Sequence, residues 1–490
     1  MINLKKNKKL SSLLFGFFVI GLFSFAFKKA DTKIVEKKKP NVLFISVDDL
    51  RPELGCYNHP MIKSPNIDKL AASGTIFKNA YCNVPVCGAS RASLLTGVRP
   101  NRNRFFDYDA RIENEAPNAK TIQGHFKENG YYSVGLGKLL HFPDDRGDDY
   151  SEMNWRPDYH SGSQRGWRDY LTKKNLKIAK KTKNGAGMPF DDADVADNAY
   201  FDGQTAEKAV EYIKKLAKSD QPFYLGVGFL KPHLPFTAPK KYWDMYDIDN
   251  IDVPDTYYRA EGTPNAIYHN NGELRSYYGV PEDKVLPEKY AKKLIHGYYA
   301  CVSYTDAHIG KLMKALEEAG IADNTIVVLW GDHGWNLGDH TLWCKHTTFS
   351  SSLKVPLIIK APGKLANQAT KALTEYVDIF PTLCDLAGLE KPKQLDGKSL
   401  VSVLEKPNQQ FKDAIFTRWK NGDNITTSQY SYTEWKNDNG DLYAKVLFDH
   451  KTDPKEITNQ VENPEYAEAV VNLQKQLYQS IQEVNEKVIE

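Results

Sequence analysis

The chain has 490 residues, 41% hydrophobic and 26% charged, a composition that suits a large folded core and excludes a disordered or fibrous protein. The formal charge is +3, and Lys5, Lys6, Lys8 and Lys9 lie within residues 1–26, which carry no acid; without them the balance is −1. So near neutrality, the chain offers no bulk electrostatic case for binding nucleic acid.

The basic residues Lys5 to Lys9, the apolar stretch Leu10 to Phe27 and the small-x-small triplet Ser24-Phe25-Ala26 predict a cleaved signal peptide over residues 1–26. An uncleaved anchor is the alternative that the length of the apolar stretch leaves open. Cleavage implies export, to the periplasm or beyond the cell, with no stable membrane insertion afterwards. The six cysteines (Cys56, Cys82, Cys87, Cys301, Cys344 and Cys384) show neither a metal-binding C-x-x-C nor a dense disulfide framework.

Asn41 to Val47 is an unbroken apolar run that predicts a strand covered on both faces, and it leads into Asp48-Asp49. Ile67 to Ala72, after Ser64-Pro65-Asn66 and before Gly74, reads as a short amphipathic helix. Tyr131 to Gly137 predicts a strand delivering Lys138 and then His141. Thr205 to Ala217 sets Ala206, Ala209, Val210 and Ile213 on one helical stripe, and Pro222 to Phe229 predicts a strand ending at Lys231-Pro232-His233. Tyr290 to Ala319 is a long amphipathic pattern closed by Gly320. Thr325 to Trp330 leads to Asp332-His333-Gly334, and Lys354 to Ile359 is a further strand candidate.

This alternation predicts an α/β fold with a large, mostly parallel or mixed sheet flanked by helices. Sites in such sheets form at the carboxyl ends of the strands, where four separate runs here deliver polar side chains. Beyond about residue 390 the texture becomes polar and turn-rich. Short runs at Ala414 to Phe416 and Tyr443 to Phe448, then Glu465 to Val484, predict a smaller subdomain of antiparallel sheet and terminal helix.

Cys87-Gly88-Ala89-Ser90-Arg91 runs directly into Ala92-Ser93-Leu94-Leu95-Thr96-Gly97. Alone, such a Cys is as readily a packing residue. In order with Gly137 to His141, Lys231 to Phe236, Asp332 to His340 and Tyr432 to Trp435, it resembles the C-x-[PA]-x-R signature of the formylglycine-dependent type I sulfatases, members of the alkaline phosphatase superfamily. The resemblance spans Pro40 to roughly Asn459 and is nearest the iduronate-2-sulfatase-like branch. It implies a catalytic domain over 38–390 and a C-terminal subdomain over 391–490.

Asp48-Asp49 could by itself be an exposed acidic turn; with Asp332 on another strand end, oxygen ligands converge as a hard divalent cation requires. The family implies one Ca2+ held by Asp48, Asp49, Asp332, the residue at 333 and modified Cys87. His333 stands where many members carry Asn, and calcium prefers oxygen, so contact with the sulfate or the modified side chain is the alternative. Arg91 falls one helical turn beyond Cys87, where it could hydrogen-bond the modified side chain. By resemblance Lys138 and Lys345 bind sulfate oxygens and His233, with Lys345, protonates the leaving alcohol. His141 takes the proton of the diol hydroxyl that does not attack.

His340 and His346 read as supports or rim of the pocket, and Asp306-Ala307-His308 as structural. The aromatics of Arg104-Phe105-Phe106-Asp107-Tyr108 could stack on sugar or fill the core. The resemblance implies hydrolysis of sulfate esters on a sulfated oligo- or polysaccharide after Cys87 has become formylglycine through a maturation enzyme. A uronate 2-sulfate is the preferred substrate, from algal polysaccharide such as ulvan or from glycosaminoglycan, with Arg104 and Arg111 available for the sugar carboxylate. The rivals are a phosphodiester or phosphonate hydrolase of the same superfamily and a catalytically inert glycan-binding relative.

Overall fold

Asn41–Val47 (β1) sits inside an eight-stranded sheet because both of its faces find apolar cover. The remaining strands of that sheet are Thr75–Phe77 (β2), Tyr132–Gly137 (β3), Glu152–Trp155 (β4), Phe223–Phe229 (β5), Thr325–Gly331 (β6), Leu357–Lys360 (β7) and Gln368–Thr370 (β8). Their order is β8-β2-β7-β6-β1-β5-β3-β4. The structure is a computed structural model that describes residues 38–142, 144–155 and 166–487, and the expected signal peptide at 1–26 lies outside them. The described residues from Lys39 onward form one compact unit.

Strands β6, β1, β5 and β3 are neighbours and mutually parallel, so their carboxyl ends share one edge. Only β7 runs against its neighbours. Of the apolar run expected from Lys354, the regular strand starts at Leu357; Pro356 has no N–H to offer a ladder, and Lys354 makes an isolated bridge with Tyr81 instead.

Alternate side chains of β1 enter two separate cores, as a strand's period of two requires. Leu43, Ile45 and Val47 meet the apolar faces of Pro65–Ala72 (α1), Phe201–Leu216 (α4) and Glu288–Glu318 (α5). Val42 and Phe44 meet those of Cys87–Thr96 (α2), Ile122–Glu128 (α3) and Ile379–Ala387 (α6) on the other side. Full burial of each such side chain contributes roughly 1.5–3 kcal/mol, enough in sum to set the strand's register. Asp306 of α5 is structural: its carboxylate accepts from the backbone N–H of Asn66 (3.0 Å) and Ile67 (2.7 Å), capping α1.

Ala414–Trp419 (β9), Gly422–Thr427 (β10), Tyr430–Lys436 (β11) and Leu442–Asp449 (β12) make a separate antiparallel sheet. Ala467–Glu486 (α7) covers it, with Leu473, Leu477 and Val484 against Phe416, Ile425, Tyr432 and Leu447. Asn83 ties this sheet to the larger body, donating to the Phe416 carbonyl (2.9 Å) and the Glu375 carboxylate (2.7 Å). All six cysteines are free thiols. No helix among the described residues is long and apolar enough to cross a membrane.

Gly137 ends β3 with φ +69°, and a Cβ there would lie 2.1 Å from the Gly228 carbonyl oxygen. Gly137→Ala is therefore expected to cost on the order of 1–3 kcal/mol, seen in urea unfolding as a lower midpoint.

Candidate active site

The four parallel strand ends hand over the predicted residues at one edge. Asp48 and Asp49 follow β1, Lys138 follows β3, His233 follows β5, and Asp332 and His333 follow β6. Asp49 has φ 60°, and the residues either side of Lys345, Cys344 and His346, have φ 72° and 76°. Left-handed backbone costs about 1–3 kcal/mol at each non-glycine residue, so tertiary contacts must hold these three.

Cys87 is the first residue of α2, after extended Val86. Gly88 lets the chain at Tyr108 pass directly over the helix start: a Cβ would fall 2.1 Å from the Tyr108 carbonyl oxygen. Burial, reinforced by Asp48, pushes the Cys87 thiol well above its usual range, so an unmodified thiolate nucleophile is disfavoured here. Its Sγ lies 3.2 Å from His333 Nε2. His333 Nδ1 faces the Gly334 carbonyl at 2.9 Å and so donates to it, turning the Nε2 lone pair toward Cys87 and Asp49.

Arg91 lies one turn into α2 and is buried to 1% exposure. Its guanidinium donates to Asp48 Oδ1 (2.9 Å), Asp332 Oδ2 (3.0 and 3.1 Å), Ser46 Oγ (2.9 Å) and the carbonyls of Lys138 (2.6 Å) and Leu139 (3.1 Å). Among the described residues its hydrogen bonds go to the carboxylates and strand ends around Cys87. It ties β1, β3 and β6 together at the site.

Asp48, Asp49 and Asp332 are fully buried, and their carboxylate oxygens lie within 4.8 Å of one another. Burial would raise Asp48, but Lys138 and Arg91 hold its carboxyl well below the usual range. Asp49 goes the other way: burial pushes it well up, Lys345 offsets only part, and neighbouring Asp48 adds to the rise. Three desolvated carboxylates this close together make a donor set that fits a hard divalent cation, and a Cys87–Asp49–His333 grouping adjoins it.

Lys138 Nζ pairs with Asp48, while Lys345 Nζ reaches Asp49 Oδ1 (3.2 Å) and Glu273 Oε1 (2.7 Å). Despite burial, Asp49 and the Cys87 position keep Lys345 well above the usual lysine range, and Asp48 raises Lys138. His233 is held well below the usual histidine range by burial and then by Lys345 and Lys138. Of the two groups expected to protonate a leaving alcohol, Lys345 is thus the one kept charged.

Cys87, Lys138, His141, His233 and Lys345 all line one cavity of about 360 Å³. Tyr108, Trp167, Glu273, Tyr277 and His346 complete much of its wall. His340 is elsewhere, stacked on Phe349 with ring centres 4.2 Å apart. Phe105 is fully buried core, whereas Tyr108 is exposed at the cavity. The expectation that Arg104 and Arg111 face a sugar carboxylate is corrected. Arg104 donates to the Arg99 carbonyl and Arg111 pairs with Glu113 and Asp144; neither lines the cavity. Glu273, in the four-residue helix Gly272–Arg275, carries no signal in the sequence because the polar stretch around it has neither motif nor periodicity.

A profile described as "Sulfatase" matches residues 40–389. The chain belongs to the sulfatase family. It is a sulfuric ester hydrolase of the type I group within the alkaline phosphatase superfamily. A second profile, for the C-terminal part of N-sulphoglucosamine sulphohydrolase, matches residues 338–483. The chain is 35% identical over 416 residues to iduronate 2-sulfatase of Mus musculus, covering 78% of this sulfatase and 74% of the mouse protein. A structure described with its substrate D-glucosamine-2-N,6-O-disulfate superposes with TM-score 0.74 at 21% identity, covering 92% and 99% of the two chains. The phosphonate monoester hydrolase of Silicibacter pomeroyi superposes at TM-score 0.76 and 22% identity, covering 91% and 96%. These last two likenesses establish shared fold.

Lys in place of Arg91 would bring three N–H groups to acceptors that five now serve. Arg91→Lys is expected to lower unfolding stability by about 3 kcal/mol or more, measured by denaturant titration.

Proposed function

We infer that this sulfatase is exported and hydrolyses a sulfate ester of a carbohydrate, with calcium bound at Asp48, Asp49 and Asp332 and with Cys87 converted to formylglycine by a maturation enzyme. The observation that carries the reading is one cavity lined by Cys87 at a helix start, the buried lysines Lys138 and Lys345, and His141 and His233, with the three buried carboxylates clustered beside Cys87. Bound calcium would be held by those carboxylates, with His333 beside them, and would supply positive charge for sulfate oxygens. The aldehyde hydrate would supply an oxygen nucleophile that a thiol raised by burial does not.

The chain's own residues do the rest. Lys138 and Lys345 set ammonium groups on the cavity wall where sulfate charge grows. Lys345, with His233 beside it, stands ready to protonate the departing sugar oxygen. His141 lines the same cavity as Cys87 and serves as the base at that position. Arg91 fixes the carboxylates beside position 87.

A carbohydrate substrate is supported by the names of relatives and neighbours, iduronate 2-sulfatase and the glucosamine disulfate complex among them. Uronate 2-sulfate, in ulvan-type algal polysaccharide or glycosaminoglycan, is the preferred form. It rests on the similarity to iduronate 2-sulfatase alone, now that Arg104 and Arg111 are accounted for elsewhere. The fold shared with a phosphonate monoester hydrolase keeps phosphonate or phosphodiester hydrolysis as the second reading. A catalytically inert glycan binder accords poorly with the full set of side chains present. Export rests on residues 1–26.

Peptide mass analysis of active protein should find aldehyde in place of the Cys87 thiol, and Cys87→Ala should fold yet lose turnover. Full activity with an intact thiol would end the formylglycine assignment. Asp48→Asn, Asp49→Asn and Asp332→Asn should each weaken calcium binding by about 10-fold or more, read by calorimetry, and exhaustive chelation should abolish activity that calcium restores. Sulfate release from uronate 2-sulfate, hexosamine 6-sulfate, galactose sulfate and rhamnose 3-sulfate oligosaccharides decides the sugar. Preference for one without a carboxylate removes the uronate assignment, and faster release of phosphate or phosphonate favours the second reading.

A further inference from the structure

Glu273 belongs to no motif of the sequence, yet it lines the cavity next to both Lys345 and His233. Its Oε1 accepts from Lys345 Nζ at 2.7 Å and lies 3.4 Å from His233 Nε2. Its other oxygen, Oε2, is buried without a hydrogen-bond partner among the described residues. An unsatisfied buried carboxylate oxygen costs on the order of 1–3 kcal/mol.

Each of the two groups is also clamped from behind. His233 Nδ1 lies 2.5 Å from the Leu234 carbonyl, a separation that requires an Nδ1–H donor and leaves Nε2 as the working nitrogen. The Trp167 ring stands edge-on to the His233 imidazole, centres 5.3 Å apart. Lys231 Nζ donates to the carbonyls of His233 (2.9 Å) and Pro235 (2.7 Å), fixing the loop that carries the ring. Lys345 Nζ lies over the Trp335 ring, 4.9 Å from its centre, and also reaches Asp49. The remaining direction for both side chains is set by Glu273.

We propose that Glu273 is a positioning residue that aims Lys345 Nζ at the oxygen of the departing alcohol, with His233 Nε2 held beside it. This rests on the reading that these two residues assist that departure. The S–O bond to the sugar breaks with its electron pair left on the sugar oxygen as the sulfur passes to the nucleophile at position 87. The sugar oxygen takes a proton from Lys345, and that group regains one from water before the next turnover. Glu273 itself exchanges no proton. Its loss leaves the donor present and unaimed.

The test uses the full, matured, calcium-loaded enzyme and a sulfated oligosaccharide that the wild type cleaves, with rapid-quench separation of sugar release from sulfate release. Wild type releasing sulfate from no sugar of the panel counts against the carbohydrate sulfatase reading itself, which separates that failure from this one. Given wild-type turnover, Glu273→Ala should slow sugar release by about 100-fold, leave the later release of sulfate unchanged and move KM by less than about threefold. Glu273→Asp should recover part of the rate. Where Glu273→Ala fails to fold, Glu273→Gln keeps the shape and should slow the same step by about 10-fold. Unchanged sugar release, equal slowing of both steps, or a loss confined to KM would each overturn the proposal.

Discussion

Everything in this active site depends on keeping three carboxylates, Asp48, Asp49 and Asp332, close together with no exposure to water. Desolvated like charges repel strongly, and the chain answers with one guanidinium that cannot lose its proton. Arg91 sits in a helix all of whose residues are buried, and it reaches two of the three carboxylates together with two strand-end carbonyls. Asp49 is left to Lys345, and burial with Asp48 nearby still pushes it up. Stability alone would favour apolar packing over so many buried charges here.

Sheet topology makes that concentration of charge possible. Four parallel strands in immediate contact end at one edge, so four loops from distant parts of the sequence deliver their first residues within a few ångströms. An antiparallel arrangement would have sent alternate loops to the opposite edge. The two apolar cores on either side of β1 fix the strands against sliding, because a one-residue slip would exchange the Leu43–Ile45–Val47 and Val42–Phe44 faces. Rigid strand ends hold the carboxylates. The reacting side of the cavity comes instead from loops with left-handed residues, around Lys345, and from a four-residue helix carrying Glu273.

Much of this was legible in the sequence. The strands before Asp48, Lys138, His233 and Asp332 are continuous β-branched or aromatic runs, and such runs identify buried parallel strands whatever their neighbours. The long helix Glu288–Glu318 was plain from its period. Cys87 and Arg91 stood out because their spacing belongs to a family signature; the fold puts Cys87 at a helix start and Arg91 one turn on. The direction of β7 was not legible, since a short apolar run reads alike in either direction. Nor was the engagement of Arg104 and Arg111 away from the cavity: exposed-looking cations in one polar stretch differ only in which carbonyls and acids the folded chain brings to them.

By itself the sequence determined the family and the alternating α/β architecture and singled out the candidate site residues, because these depend on local periodicity and on motifs a few residues long. The tertiary structure alone decided the pairings across the site. Arg91 with Asp48 and Asp332, Lys138 with Asp48, and Lys345 with Asp49 and Glu273 span separations of 43 to 296 residues. It also decided that Glu273 belongs to the site at all. Charge pairing acts over a few ångströms in space and leaves no trace in local spacing, so only the closing of the parallel sheet could show which acid faces which base.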